Sequence, residues 1–213
     1  MEINLIGLSI VEQAKDVFSQ LNVLPAADRI EIINRIKRVL HEYSPLKNEP
    51  VDCVLWVPAD LVEANDYNPN KVAPPEMKLL EISISEDGYT QPVVTWKDED
   101  RLETVDGFHR GRVGRESEAV RKRTLGYLPI TIVNQCRTDR GNRIAATIRH
   151  NRARGKHQIS GMSDIVVELS RRNWNDQRIA RELGMDADEV LRLKQITGLA
   201  ELFADEEFSE AWE

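Results

Sequence analysis

A glycine between a β-like run and a helical run is the feature that most constrains this 213-residue chain. Gly107 follows the β-forming residues 103–105 and precedes the donor and cationic side chains of His109, Arg110 and Arg112. A glycine at such a junction lets backbone N–H groups approach an anion closely. We therefore predict a turn that feeds a helix N-terminus and holds a phosphate there.

Charge is distributed unevenly along the chain. Residues 101–160 hold 14 Lys and Arg against 5 Asp and Glu, a local net charge of +9, whereas the whole chain has a net charge of −7. A basic segment within an acidic protein favours a local anionic ligand over a general affinity for polyanions. A solvated basic face is the alternative, and the overlap with the glycine turn favours the ligand.

Composition excludes several classes of protein. No apolar run approaches the roughly 18–20 residues of a membrane span, and the N-terminal residues 1–4 lack the basic start of a signal peptide. Cys53 and Cys136 are the only cysteines, and no Cys/His cluster has metal-ligand spacing. We expect a cytoplasmic protein without a disulfide framework, a membrane segment or a structural metal.

Hydrophobic periodicity divides the chain into three parts. Residues 1–50 are predicted to form a helical hairpin that breaks near Leu24-Pro25, residues 51–156 a small mixed α/β domain, and residues 157–213 a helical domain. Strands are predicted near 51–57, 91–96, 102–105 and 128–133, and central helices near 75–87, 111–125 and 140–150. The N-terminal hairpin either docks on a partner or a second copy, or packs on its own protein.

The last part carries the pattern of a helix-turn-helix. Ala180 permits close helix crossing, Gly184 makes the turn, and Val190 packs between the helices. The second helix of this unit begins with Asp186, Asp188 and Glu189, which would repel DNA phosphates. Direct DNA binding and a role in packing or protein binding therefore both stay open.

Three motifs, in this order, resemble those of the ParB/sulfiredoxin fold, and more closely a ParB-like N-terminal domain followed by a helix-turn-helix. The stretch 88–94 resembles the segment that in ParB proteins lies against the base and sugar of a nucleotide. The stretch 107–113 resembles the phosphate motif, and 150–154 resembles the third motif, with His150 in place of its glutamate. The resemblance implies an α+β fold and covers roughly residues 53–200.

Phe108 departs from both branches of that fold. Sulfiredoxins have their catalytic cysteine at this position, and phenylalanine cannot act as a nucleophile, so sulfiredoxin activity is excluded. ParB proteins that hydrolyse CTP usually have glutamate here. The combination of the 106–110 and 150–157 stretches with a modest length is most similar to IbrB-type transcriptional coactivators, which typically accompany a PAPS-reductase-like partner.

The resemblance implies a regulatory protein that binds a nucleotide and acts on DNA or a protein partner. The expected ligand is a nucleoside triphosphate, CTP or ATP, with Mg²⁺, and a homodimer is compatible with this type. The following residues are predicted to contact the nucleotide or its phosphates: Gly88, Gln91, Gly107, His109, Arg110, Arg112, Asn151 and Arg154.

Asp106 has three candidate roles that the sequence leaves open. It can cap the following helix, orient His109, or bind a Mg²⁺ that accompanies the nucleotide. In an enzyme of this fold, an NTPase or a small-molecule kinase, Asp106 is the best candidate for the catalytic acid. A nucleotide-independent adaptor is the remaining alternative; it would hold a partner with helices from 9–43 and 160–196.

Overall fold

The computed structural model describes residues 4–65, 74–98, 101–134, 139–152 and 159–202. The predicted α+β class is confirmed, because a five-stranded mixed sheet is combined with helices at both ends of the chain. The described helices are α1 (Leu5–Ser19), α2 (Ala26–Tyr43), α3 (Pro74–Asp87), α4 (Phe108–Glu116), α5 (Glu118–Arg123), α6 (Arg140–Arg152), α7 (Ile159–Arg171), α8 (Asp176–Leu183) and α9 (Ala187–Leu202).

The sheet has the strand order β1-β5-β3-β4-β2. Its strands are β1 (Leu55–Pro58), β2 (Val62–Glu63), β3 (Val93–Asp98), β4 (Arg101–Asp106) and β5 (Tyr127–Ile132). Strands β3 and β4 form the predicted antiparallel hairpin, β5 runs parallel to β3, and β1 pairs antiparallel with β5. The short parallel strand β2 beside β4 was not predicted.

Helix α4 begins directly after Gly107, earlier than the predicted start at 111. The predicted single helix over 111–125 is wrong in one respect, because the backbone of Ser117 is extended and divides it into α4 and α5. The buried Gly114 of α4 packs tightly on the sheet. A Cβ there would lie 2.2 Å from Leu128 Cδ2 and 2.4 Å from Tyr89 Oη, so only glycine permits α4 to pack this closely.

The C-terminal helices share one apolar core. Helices α6 to α9 contribute buried side chains to it, among them Ile148, Leu169, Ile179 and Val190. The core of the helical part therefore includes α6, which lies N-terminal to residue 157. Gly184 takes the left-handed conformation at the end of α8, with Ala180 and Val190 buried on either side of this turn, as the helix-turn-helix pattern predicts.

The N-terminal hairpin is packed much less. Helix α1 buries no residue, and α2 buries only Asn34. The Asn34 amide donates to the Trp56 carbonyl at 2.6 Å and accepts from the Trp56 N–H at 3.0 Å, which attaches α2 to β1. None of the described helices combines the length and apolar character that a membrane span requires.

Candidate functional site

The β3–β4 hairpin determines which side chains meet at the phosphate turn. Because the two strands are antiparallel, the beginning of β3 lies beside the end of β4, and Val94 pairs with Asp106. The next pair is Thr95 with Thr104, so Val105 is an extra residue on β4. Such bulges redirect the side chains beside them. Gln91, just before β3, and Asp106 consequently reach the same corner of the sheet.

Gly107 makes the turn from β4 into α4. Its φ of +87° lies in the left-handed region, which glycine adopts without steric cost. Within the described residues no side chain caps α4, and the Gly111 N–H donates to the Gly107 carbonyl at 2.9 Å. By helix geometry the preceding N–H groups point out of the helix end, where the helix dipole is positive.

Arg110 folds back over this helix end. Its Nη1 donates to Gln91 Oε1 at 2.5 Å, and its Nη2 donates to Asp106 Oδ2 at 3.2 Å. A Cβ on Gly107 would lie only 2.7 Å from Arg110 Nη2, so the guanidinium lies directly against the turn. The side chains of Arg110 and Asp106 are 15% and 5% exposed. The guanidinium is therefore held in place by its contacts with Gln91 and Asp106.

Tyr89 contacts the backbone of Arg110 and was not among the predicted site residues. Its hydroxyl donates to the Arg110 carbonyl at 3.1 Å. Burial raises the pKa of Tyr89 to about 12, so the hydroxyl stays protonated and able to donate at neutral pH. Its position between Gly88 and Gln91 in the first motif could have identified Tyr89 as a residue of the site.

Two further arginines raise the positive potential around Tyr89. The charges of Arg123 and Arg115, together with that of Arg110, oppose the effect of burial on the Tyr89 pKa. Arg115 donates to the Val62 carbonyl at 3.1 Å, and Arg123 donates to the Ile84 and Ser85 carbonyls at 2.6 Å. Carbonyl acceptors are neutral, so these bonds fix the guanidinium groups without cancelling their charge.

His109 occupies an unusual position. Both ring nitrogens are buried, and neither has a hydrogen-bond partner within the part of the chain that the structure describes. The ring meets Phe108 edge to face, with centroids 5.2 Å apart. Burial, followed by the charge of Arg112, lowers the pKa of His109, which favours the neutral imidazole. The predicted phosphate donor is thus present but turned away from solvent.

Two other predicted residues lie apart from the turn. Arg112 is exposed and pairs with Glu116 at 2.8 Å, one turn further along the same helix. Gly88 ends α3 in the left-handed conformation, as predicted, and lines a cleft beneath α2. The structure therefore brings together Gln91, Asp106, Gly107 and Arg110, and it does not bring Arg112 to them.

The third motif is only partly described. Asn151 lies in the last turn of α6, where its side chain is outside the described set, and Arg154 lies outside the described residues.

No cluster of three or more potential metal-ligating residues occurs in the described ranges. Among the described residues Asp106 makes no cap of α4 and instead forms an ion pair with Arg110. Of the three roles that the sequence left open for Asp106, helix capping is therefore removed.

Helix α6 connects the sheet to the helical core, and its partners were not predicted. Towards the sheet, Arg143 pairs with Glu103 of β4 at 3.9 Å. Towards the helices, Arg140 pairs with Glu168 at 2.9 Å and Arg149 pairs with Glu182 at 2.7 Å. Part of the basic segment 101–160 therefore serves to join the two parts of the protein.

The first turn of α9 is acidic, as the sequence indicates. Asp186 Oδ1 accepts the Glu189 N–H at 2.6 Å, and Asp188 follows in the same turn. Nearby cations are engaged close to the helices: Arg178 lies over the Trp174 ring at 3.7 Å, and Arg181 pairs with Glu182 at 3.5 Å. This helix end presents carboxylates to its surroundings.

Among solved structures, the chain is similar to two complexes of the C-terminally truncated chromosome-partitioning protein ParB from Caulobacter crescentus. The complex with CTP-gamma-S has a TM-score of 0.39 at 16% identity, covering 70% of this chain and 83% of that one. The complex with the centromeric parS site has a TM-score of 0.44 at 16% identity, covering 67% and 71%.

Comparison of the amino-acid sequence with known families and proteins identifies the family of this chain. Residues 157–205 match the family described as "IbrB-like C-terminal HTH domain", which confirms the predicted helix-turn-helix and its IbrB type. The "Uncharacterized protein YbdM" of Escherichia coli (strain K12) is 57% identical over 199 residues, which cover 93% of this chain and 94% of that protein. The chain therefore belongs to the YbdM family and carries an IbrB-like C-terminal helix-turn-helix domain.

Proposed function

We propose that this protein binds a nucleotide through its phosphates at the N-terminal end of α4, and that the bound state regulates how its helical part meets DNA or a protein partner. One observation carries the proposal: Gln91 and Asp106 hold the Arg110 guanidinium over a helix end that no side chain of the described residues caps. A planar guanidinium matches two phosphate oxygens at once. The helix end adds N–H donors and a positive dipole.

The surrounding charges support an anion at this place. Arg115 and Arg123 bond only to neutral carbonyls in the described hydrogen-bond network, and their fields act on the same corner as Arg110. The ion pair with Asp106 reduces the positive charge but prevents the long Arg110 side chain from sampling other rotamers. The Arg110 side chain has therefore already lost its conformational entropy, and ligand binding does not have to order it.

The regulatory step would pass through α6. This helix is joined to β4, which ends at Asp106, and also to α8 of the helix-turn-helix through Arg149 and Glu182. Asn151 and Arg154, at and beyond the end of α6, remain predicted phosphate contacts. If they close on a nucleotide, α6 would move relative to β4, and α8 would move with it. The transcriptional coactivator role and the PAPS-reductase-like partner remain predictions.

DNA contact, if it occurs, should not use the first turn of α9. The carboxylates of Asp186, Asp188 and Glu189 would face the phosphates without counterion release. Exposed Arg171 and Arg181, which lie outside that turn, are better placed for the DNA backbone. A protein partner remains the other candidate for the regulated output.

Isothermal titration calorimetry with CTP, ATP and GTP in the presence of Mg²⁺ tests the proposal. We expect one nucleotide to bind the wild type, and Arg110→Ala to weaken it by about 1.5–3 kcal/mol, the range for a hydrogen bond to a charged group. The matched control is Arg112→Ala on the same helix, whose partner is the exposed Glu116.

Absence of binding to the wild type at millimolar nucleotide contradicts the proposal. Equal losses in Arg110→Ala and Arg112→Ala contradict the placement of the site. Phosphate release measured on the same samples addresses the enzymatic alternative. Turnover that disappears in a stable Asp106→Asn variant while nucleotide binding persists would favour an NTPase.

A further inference from the structure

An open cleft beneath α2 is lined in part by Tyr89, and neither Gly107 nor Arg110 lines it. It has a volume of about 460 Å³, within the usual range for small-molecule sites. It is lined by Ile30 and Ile33 of α2 and by the aromatic side chains of Trp56, Tyr89 and Tyr127. Trp56 and Tyr89 meet edge to face with centroids 6.3 Å apart. The walls are thus apolar and rich in flat aromatic surface.

The polar groups of this cleft are few, and two of them are cationic. Lys37 Nζ donates to the Val54 carbonyl at 2.8 Å, and Arg123 donates to carbonyls at the end of α3. The hydrogen-bond acceptors that the described residues offer to these two cations are neutral backbone carbonyls, which do not neutralise their charges. Thr124 Oγ1 is buried without a hydrogen-bond partner in the described residues. Asn34, in contrast, has both its Nδ2 and its Oδ1 bonded to the Trp56 backbone.

These features define the chemistry of an occupant. Aromatic walls favour a flat apolar body, because such a body stacks on or meets the edges of rings. Two cationic residues among those that line the cleft favour an anionic group with acceptor oxygens. We propose that the cleft beneath α2 is a binding site for a small planar aromatic carboxylate, with Lys37 and Arg123 holding the carboxylate. This site is separate from the phosphate turn.

The probe for this proposal is 2-naphthoate, and the matched neutral probe is 2-naphthalenemethanol, which has the same rings without the charge. Binding to the full chain is measured without nucleotide by calorimetry and saturation-transfer NMR. We expect 2-naphthoate to bind more tightly than the alcohol. Lys37→Met should weaken 2-naphthoate about tenfold, the loss of a hydrogen bond to a charged group, and leave the alcohol unchanged.

Two further variants keep the test decisive. Arg38→Met removes a cation from the next position of α2, which does not line the cleft, and should leave both affinities unchanged. Ile33→Trp fills the cleft and should abolish both; its thermal unfolding curve reports whether it folds. The proposal is overturned if 2-naphthoate fails to bind at millimolar concentration, or binds Lys37→Met and Ile33→Trp as well as the wild type.

If a second copy of the chain occupies the cleft, a different experimental result is expected. If sedimentation shows a dimer that Ile33→Trp dissociates and 2-naphthoate does not, the cleft belongs to a second copy of the chain, and the small-molecule site is refuted. Because no nucleotide is present, none of these results depends on the phosphate turn. Failure of the two proposals is therefore distinguishable.

Discussion

Two helix N-termini in this protein are completed in opposite ways. At α4 the turn residue is Gly107, no described side chain caps the helix, and Arg110 lies over the open end. At α9 the Asp186 carboxylate accepts the Glu189 N–H, and Asp188 adds a second negative charge. The positive end of the helix dipole therefore meets no capping carboxylate among the described residues at α4, whereas a carboxylate satisfies it at α9.

This difference shows that a helix N-terminus is not in itself an anion site. Its preference depends on what the first turn already contains. A phosphate approaching α4 meets N–H groups and a fixed guanidinium, whereas a phosphate approaching α9 meets three carboxylates. The proposed function accordingly places ligand recognition in the sheet domain and the response in the helix-turn-helix.

The largest expected effect follows from Gly107→Ala. A side chain at φ +87° costs about 1–2 kcal/mol, and the new Cβ would lie 2.7 Å from Arg110 Nη2 and displace the guanidinium. Nucleotide affinity should fall more than tenfold. Gly126→Ala is the control, because its φ is +79° and no atom lies within 4 Å of its Cβ. It should cost similar stability and retain affinity, as measured by thermal unfolding and calorimetry.

Equal affinities in these two variants would contradict the role of the Gly107–Arg110 contact. Loss of affinity in both would indicate that general destabilisation, not displacement of Arg110, is responsible.

The second effect concerns the end of α9. Asp186→Ala removes the capping carboxylate and should lower the free energy of unfolding by about 1 kcal/mol. Nucleotide affinity should not change, since the α4 end is untouched. Asp188→Ala removes a charge from the same turn without removing the cap, and should cost less. Chemical denaturation of both variants gives the comparison, and equal costs would show that the cap contributes nothing.

The smallest effect is a pH dependence from His109. Burial lowers its pKa below the ordinary 6.5, so the unfolded chain takes up this proton at a higher pH than the folded chain. The stability linked to this group is complete above about pH 6.5 and decreases as the pH falls through that value. His109→Phe should remove this part of the acid-side loss, measured by denaturation between pH 7 and 5. Parallel profiles for wild type and variant would show that His109 is not responsible.

Local sequence was sufficient for the parts of the site that depend on neighbours along the chain. The order strand, glycine, cationic helix predicts the turn at Gly107, and the hairpin spacing places Gln91 beside it. The position of Arg112 two residues after Arg110 already indicates a different side of the helix. The structure pairs Arg112 with Glu116, away from the turn.

Tertiary packing decided the rest, and sequence patterns do not contain that information. The burial of His109 depends on what covers α4, and the sequence predicted an accessible donor there. The sequence predicted helices in the regions of both α1 and α6, yet α6 contributes to the buried helical core while α1 buries no residue. The pairing of Arg149 with Glu182 joins segments that lie far apart in the chain, and no local motif indicated it.

The most direct test of the central claim is an NMR titration of the ¹⁵N-labelled protein with CTP and, separately, with ATP, each with Mg²⁺. If the α4 end is the phosphate site, amide signals of Gly107 to Arg110 shift first, the Arg110 Nε signal shifts with them, and those of residues 187–190 at α9 stay in place. Saturable shifts confined to α9, or no shifts at either end with millimolar nucleotide, would contradict this assignment.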